Sequence, residues 1–200
     1  MPERGWATRH SQGDLTGKPA LFLDRDGTVI ENVPYLDDPA GVSLIPGARE
    51  AIDAFRSAGY AVIIVTNQSG IARGLVSPAG YRAVEAAVIA ALGPHRVDAT
   101  YACPFHPAHP WRKPEPGMLL AAAQDLAVSL EESTMVGDTL ADVLAGAHAG
   151  VGRVVHVLTG HGAQERNEVE ALVGAHDNAT FRQVRFADSL AVLRPTKREI

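Results

Sequence analysis

The chain has 200 residues, of which 46% are hydrophobic and 20% charged, and these are ordinary values for a soluble globular protein with one sizeable core. The formal net charge of −5 gives no basic footprint, so we expect no nucleic-acid partner. No apolar run approaches the roughly 18 residues of a membrane helix, so we expect no membrane association. One cysteine excludes an intrachain disulfide and favours a cytoplasmic setting; a monomer is the default expectation.

The predicted elements alternate between strands and helices. Residues 1–18 are polar and without periodicity, and we expect a flexible tail there, followed by a single domain over 19–200. Strands are predicted at 19–23, 60–65, 97–102, 133–136 and 153–158, with helices starting near 46, 77, 118 and 139, a polar helix after 161, a short strand near 184–186 and a last helical turn. This alternation predicts an α/β, Rossmann-like doubly wound parallel sheet, which binds ligands at the carboxyl ends of its strands.

The most informative stretch is residues 21–28, which reads LFLDRDGT. Three apolar residues run into Asp24 and Asp26, as expected where a buried strand opens into a site. Asp24 could attack as a carboxylate nucleophile while Asp26 handles the proton of the leaving group. Two carboxylates this close repel each other, so this interpretation requires a cation, most simply Mg²⁺. Taken alone, the pattern favours an Asp-rich turn that caps a helix.

Polar clusters also follow other predicted strands. Thr66 and Asn67 end the second strand, where they either hold phosphate oxygens together with backbone N–H groups or only cap the next helix. Lys113 is either a solvated loop cation or the charge that neutralises a transferring phosphoryl group. Asp138 and Asp142 either compensate a helix dipole or complete a magnesium site with the first carboxylate. Because the clusters share one edge of the predicted sheet, the functional interpretation is favoured for the set.

Four motifs resemble, in the same order, those of the haloacid dehalogenase superfamily of phosphohydrolases. They read DRDGT (24–28), TNQ (66–68), RKPEP (112–116) and MVGDTLAD (135–142). The resemblance implies that Asp24 is the nucleophile, which becomes an aspartyl phosphate, and that Asp26 is the acid and base. It also implies that Thr66 and Lys113 bind the phosphoryl group, and that Mg²⁺ is held by Asp24, the Asp26 backbone carbonyl and Asp138.

A narrower resemblance is to one branch of this superfamily, the D-glycero-D-manno-heptose 1,7-bisphosphate 7-phosphatases. Residues 66–74, TNQSGIARG, resemble the corresponding loop of that branch, whereas the related histidinol-phosphate phosphatases usually carry TNQDG. The implied substrate is a small phosphorylated sugar. Its implied contacts are Tyr35, Asn67, Gln68, Ser69, Arg73, Arg112 and Lys113. No long insertion separates the motifs, so we expect no separate cap domain.

The chain departs from this branch in two places. Its members typically carry a structural zinc site with Cys-x-His and Cys-x-Cys, but here Pro110-Trp111 replaces the later cysteines. Cys103, His106 and His109 offer three ligands where a closed zinc site needs four, so we do not expect zinc. Thr139 stands where members often have a lysine, which weakens the sugar assignment. Histidinol phosphate or another small phosphomonoester stays an alternative substrate, and a catalytically idle phosphate-binding module stays an alternative of a different class.

Overall fold

A computed structural model of the protein describes residues 4–175 and 183–195. Its described residues form a seven-stranded sheet in the order β1-β4-β3-β2-β5-β6-β7. The strands are β1 (Trp6–Arg9), β2 (Pro19–Leu23), β3 (Ala61–Asn67), β4 (Ala99–Cys103), β5 (Ser129–Gly137), β6 (Arg153–Val157) and β7 (Val184–Ala187). All neighbouring strands run parallel except β1 and β4, which are antiparallel. The predicted α/β doubly wound parallel sheet is confirmed.

Helices cover both faces of this sheet. They are α1 (Ala48–Ser57), α2 (Ser69–Ala72), α3 (Pro78–Leu92), α4 (Gly117–Leu126), α5 (Leu140–Ala149) and α6 (Gly162–Ala175), with 3-10 turns at Pro39–Gly41 and Leu190–Val192. Local sequence sets several ends. Ser77 caps α3 by accepting from the Gly80 N–H, with Pro78 at the first turn. Gly150 ends α5 in the left-handed conformation, at φ 75°.

The core lies on both sides of β2, which is buried along its whole length. Phe22 belongs to the hydrophobic cluster on one face, and Leu21 and Leu23 belong to the cluster on the other. Successive strand residues point to opposite faces, so a central strand with both faces covered is apolar throughout. The central strand therefore carries its first polar side chains only where it ends, at Asp24.

The expected flexible tail over residues 1–18 needs correction, because residues 6–9 form the edge strand β1. Trp6 pairs with Ala102 of β4, and its ring lies 5.2 Å from the ring of Tyr81. Further along, Leu15 is buried in the core. Three of the four β1 residues are exposed, so this edge strand has no apolar periodicity for sequence analysis to detect. Residues 1–3 lie outside the described part of the chain, and a single domain over 19–200 stays a prediction.

The connections around the first two motifs are short. Residues 24–47 join β2 to α1 with no more than a 3-10 turn, so this part of the described chain contains no separate cap domain. Between residues 4 and 175 and from 183 to 195, none of the helices combines the length and apolar character needed to cross a bilayer.

Candidate active site

The carboxyl ends of β2, β3 and β5 lie side by side, because β2 is hydrogen-bonded to both of the other strands. Asp24 follows β2, Thr66 lies near the end of β3, and Asp138 follows β5. These residues meet around a cavity of about 180 Å³. Its lining is Asp24, Asp26, Asn32, Thr66, Asn67, Lys113, Asp138, Thr139, Asp142 and His161. The structure thus brings together all four predicted clusters.

Lys113 lines this cavity and is buried, which excludes a solvated loop cation. Its Nζ donates to a carboxylate oxygen of Asp24, to Oδ1 of Asp142 at 2.6 Å and to the Val65 carbonyl at 2.9 Å. The main chain of Lys113 is fixed by Asn67. The Asn67 Oδ1 accepts from the Lys113 N–H, and its Nδ2 donates to the Lys113 carbonyl, each at 3.0 Å. Asn67 was predicted to bind substrate. In the structure, its side chain positions the main chain that carries the buried Lys113 ammonium.

The electrostatics of the cavity are dominated by carboxylates. Burial alone would lower the pKa of Lys113, but Asp142 and Asp24 together raise it. The pKa of Asp24 is also raised, by burial first; Lys113 opposes this, while Asp142, Asp138 and Asp26 add to it. The pKa of Lys113 rises because two carboxylates stabilise its charged form, whereas the single ammonium does not offset the burial of Asp24 and the charges of its acidic neighbours. The cluster therefore favours an additional cation.

Asp24, Asp138 and Asp142 bring carboxylate oxygens within 4.8 Å of one another, and no other group of three acidic, histidine or cysteine side chains does so in the described residues. Both oxygens of Asp142 are engaged, one by Lys113 and the other by the N–H and hydroxyl of Thr139. Among the described residues, the Asp138 Oδ1 is buried without a hydrogen-bond donor. Such an oxygen beside a second carboxylate fits a hard divalent cation. Burial, followed by Asp142, raises the pKa of Asp138 to about 6.

Asp26 is held by donors on several sides. Arg25 donates through Nε to its Oδ2 at 3.1 Å and through Nη2 to its Oδ1 at 3.0 Å. Gln68 donates to Oδ2 at 3.0 Å, and the Thr66 hydroxyl lies 3.4 Å from the same atom. The buried guanidinium of Arg25 also lies over the ring of Tyr81. Sequence analysis missed Arg25, although an arginine beside a fully buried strand needs a counter-charge.

Some of the predicted sugar contacts line a second cavity beside the first, and others line neither cavity. This adjoining cavity, of about 280 Å³, is lined in part by Tyr35, Asn67, Gln68 and Ser69. Arg73 is not part of the lining of either cavity; its guanidinium donates to the Tyr35 hydroxyl at 2.9 Å. Arg112 lines neither cavity.

The three candidate zinc ligands do not converge. Cys103 is buried in the hydrophobic core, and His106 lies 3.0 Å from an Arg73 nitrogen. The His109 ring stacks on Phe105, with centroids 4.0 Å apart, and the His109 Nδ1 accepts from the Trp111 N–H. The Trp111 side chain is buried against Tyr101, at the place of the expected cysteines. The prediction that no zinc is bound stays a prediction.

Two further residues at the cavity mouth were missed. The Asn32 Nδ2 and the His161 Nε2 lie 2.7 Å apart, and both side chains line the first cavity and the adjoining one. Neither belongs to one of the four motifs. The only available signal was that His161 follows the carboxyl end of β6, where a parallel sheet places ligand contacts.

Comparison with protein families extends the match beyond the four motifs. Residues 21–150 match the model of the haloacid dehalogenase-like hydrolases, and residues 110–192 match a second, HAD-hydrolase-like model. The chain is 45% identical over 144 residues, 66% of each chain, to the D-glycero-β-D-manno-heptose-1,7-bisphosphate 7-phosphatase of Mesorhizobium japonicum. It is 38% identical over 167 residues to the enzyme of that name from Vibrio cholerae, covering 78% of this chain and 90% of that one.

A solved structure agrees with these relatives. The D,D-heptose 1,7-bisphosphate phosphatase of B. bronchiseptica, complexed with magnesium and phosphate, superposes with a TM-score of 0.75 at 32% identity, over 86% of this chain and 94% of that one. The resemblance inferred from the motifs is confirmed. The chain belongs to the haloacid dehalogenase-like hydrolases, in the company of relatives named as heptose bisphosphate phosphatases.

Proposed function

We propose that this phosphatase removes the 7-phosphate of D-glycero-D-manno-heptose 1,7-bisphosphate, through an aspartyl phosphate and with Mg²⁺. The observation that carries the phosphatase chemistry is the buried Lys113 ammonium shared between Asp24 and Asp142, beside the unpartnered oxygen of Asp138. The substrate rests on the relatives, whose names specify the β anomer of that bisphosphate. We infer the same sugar for this chain.

In the first half-reaction, a carboxylate oxygen of Asp24 attacks phosphorus and the bond from phosphorus to the sugar oxygen breaks. Asp26 gives its proton to that oxygen, and the sugar leaves as an alcohol. In the second half-reaction, Asp26 takes a proton from water, whose oxygen attacks phosphorus. The bond from phosphorus to the Asp24 oxygen breaks, which releases inorganic phosphate and restores the Asp24 carboxylate. Lys113 and the Thr66 hydroxyl bind the phosphoryl oxygens in both halves.

Phosphoryl transfer depends mainly on positioning and on neutralising charge. The residues that would hold Mg²⁺ are Asp24, Asp138 and the backbone carbonyl of Asp26, and a bound ion would supply positive charge to the phosphoryl oxygens. Lys113 contributes a fixed charge at a buried position, where an ammonium acts more strongly than in bulk water. An idle phosphate-binding module would not require this set of chemically competent side chains.

The test is phosphate release from heptose 1,7-bisphosphate, histidinol phosphate and an aryl phosphate, each with and without Mg²⁺. We expect Mg²⁺-dependent turnover with a preference for the bisphosphate. Asp24→Asn should abolish turnover, whereas Asp188→Asn, a change of an exposed aspartate, should leave it intact. Equal rates on all three substrates would overturn the sugar assignment, and turnover by Asp24→Asn would overturn the nucleophile assignment.

A further inference from the structure

We propose that His161, together with Asn32, determines substrate specificity by donating hydrogen bonds to oxygen atoms of the sugar part of the substrate. This inference rests on the proposed function, since it concerns the leaving group of the same reaction. The two side chains line both the phosphoryl cavity and the adjoining cavity. A substrate that extends from one cavity into the other must pass these two side chains.

The backbone around His161 is fixed relative to the acidic cluster. The His161 N–H donates to Oδ2 of Asp138 at 2.8 Å, and the Thr159 hydroxyl donates to the Gly27 carbonyl at 2.6 Å. Between them, Gly160 approaches so closely that a Cβ there would lie 2.2 Å from the same Asp138 oxygen. The residue before His161 must therefore be glycine, and the side chain of His161 leaves the backbone from a fixed point.

A second contact fixes the other side of this segment. The buried ring of His156, at the end of β6, places its Nε2 3.0 Å from the Gly162 carbonyl. Gly162 is itself buried and begins α6. The exposed imidazole of His161 is thus carried on backbone that is held on both sides. Rigid backbone bearing an exposed polar side chain over a cavity is the arrangement expected of a binding residue.

Few other side chains can serve this purpose. The side chains common to the linings of both cavities are Asp26, Asn32, Asn67 and His161. Asp26 is already assigned to the proton of the leaving oxygen, and the amide of Asn67 is bonded to the Lys113 backbone through both of its polar atoms. Asn32 and His161 remain as donors at the boundary.

The bond between Asn32 and His161 is easily exchanged. The hydrogen bond lies at the surface, with the Asn32 amide as donor and the His161 Nε2 as acceptor. A substrate oxygen can replace His161 as acceptor at little cost in free energy, and the imidazole in its other tautomer can then donate from Nε2. Hydroxyl groups and a second phosphate both offer such oxygens. The two sources can be separated by comparing a sugar bisphosphate with the corresponding monophosphate.

The experiment measures kcat and KM for His161→Leu, which keeps bulk but removes the donors, and for His161→Gln, which retains a donor. The substrates are heptose 1,7-bisphosphate, heptose 7-phosphate and p-nitrophenyl phosphate. For His161→Leu we expect KM for the sugar substrates to rise by about tenfold while kcat stays nearly constant. A tenfold change in KM corresponds to the loss of one hydrogen bond to a charged or strongly polar oxygen. The glutamine variant should recover part of this loss. His148→Leu, at an exposed histidine on α5, is the matched control and should change nothing.

A rise in KM for the bisphosphate alone would assign the contact to the second phosphate, and a rise for both sugars would assign it to hydroxyl oxygens. An unchanged KM, or an equal rise on p-nitrophenyl phosphate, would overturn the inference while the proposed function stands. If the unaltered enzyme does not hydrolyse heptose bisphosphate, the proposed function fails and this inference fails with it. Asn32→Ala combined with His161→Leu should give less than the sum of the two separate effects, because the residues act as a pair.

Discussion

Replacing Lys113 by methionine separates the structural from the chemical part of the site. The ammonium is buried and contacts two carboxylates and a backbone carbonyl. Removing one partner of a buried ion pair costs about 3–5 kcal/mol, because the remaining charges are left uncompensated. In a chain of this size, each kcal/mol lowers the melting temperature by about 2–4 °C, so Lys113→Met should melt roughly 10 °C lower. The measurement is thermal unfolding followed by circular dichroism in EDTA, which keeps divalent cations from compensating.

A second substitution separates the stability of the ion pair from its role in turnover. Adding Asp142→Asn to Lys113→Met removes one of the stranded negative charges and should restore part of the lost stability. It should not restore turnover, which we expect to stay at least about a hundredfold lower, as when a charge-stabilising group is lost from an active site. A Lys113→Met protein that melts with the unaltered enzyme would refute the buried ion pair. Recovery of activity in the double variant would refute the role of the ammonium in neutralising the phosphoryl group.

Asp138, Arg25 and Trp111 each offer a further test. Burial raises the pKa of Asp138 to about 6, so the metal-free fold loses stability as pH rises from the ordinary carboxyl range to about 6. Because Mg²⁺ binds the ionised carboxylate, it should raise the melting temperature more at pH 7.5 than at pH 5, and an equal rise would contradict this. Arg25→Met removes two hydrogen bonds that hold the carboxylate of Asp26. Since p-nitrophenol leaves without a proton, the variant should lower kcat/KM about tenfold more on an alkyl phosphate than on p-nitrophenyl phosphate. An equal loss on both substrates would refute the role of Arg25 in positioning the acid and would point to misfolding. Trp111→Ala should lower the free energy of unfolding, measured by urea titration, by about 3–5 kcal/mol, as for other buried tryptophans. Turnover at 15 °C, divided by the concentration of folded enzyme, should stay near normal.

The fold and the acidic cluster could be predicted because both depend on chain-local patterns. Uninterrupted apolar strands identify a sheet with two covered faces, and their first polar residues then share one edge. Asp24, Thr66 and Asp138 were found in this way, with Lys113 added by the family motifs.

The remaining contacts depend on where distant segments meet. Nothing near Asn67 in sequence indicates that its amide holds the backbone of Lys113, which lies 46 residues away. The contact between Arg25 and Asp26 depends on a turn whose geometry the residue types do not specify. His161 reaches the site only because β6 is parallel to β5, and the edge strand β1 shows no periodicity because most of its side chains are exposed.

The contacts of Asn67 determine how the loop between Cys103 and Lys113 can vary in this protein. In the sheet, Asn67 lies opposite Cys103, and its side chain grips the main chain of Lys113. Asn67 thus holds both ends of the segment 104–112 close together, through its strand pairing at one end and its side chain at the other. Here Trp111 fills that segment, and the two bonds from Asn67 hold its far end so that the ammonium of Lys113 reaches the site. Substitutions inside this loop can therefore leave the position of the Lys113 ammonium unchanged.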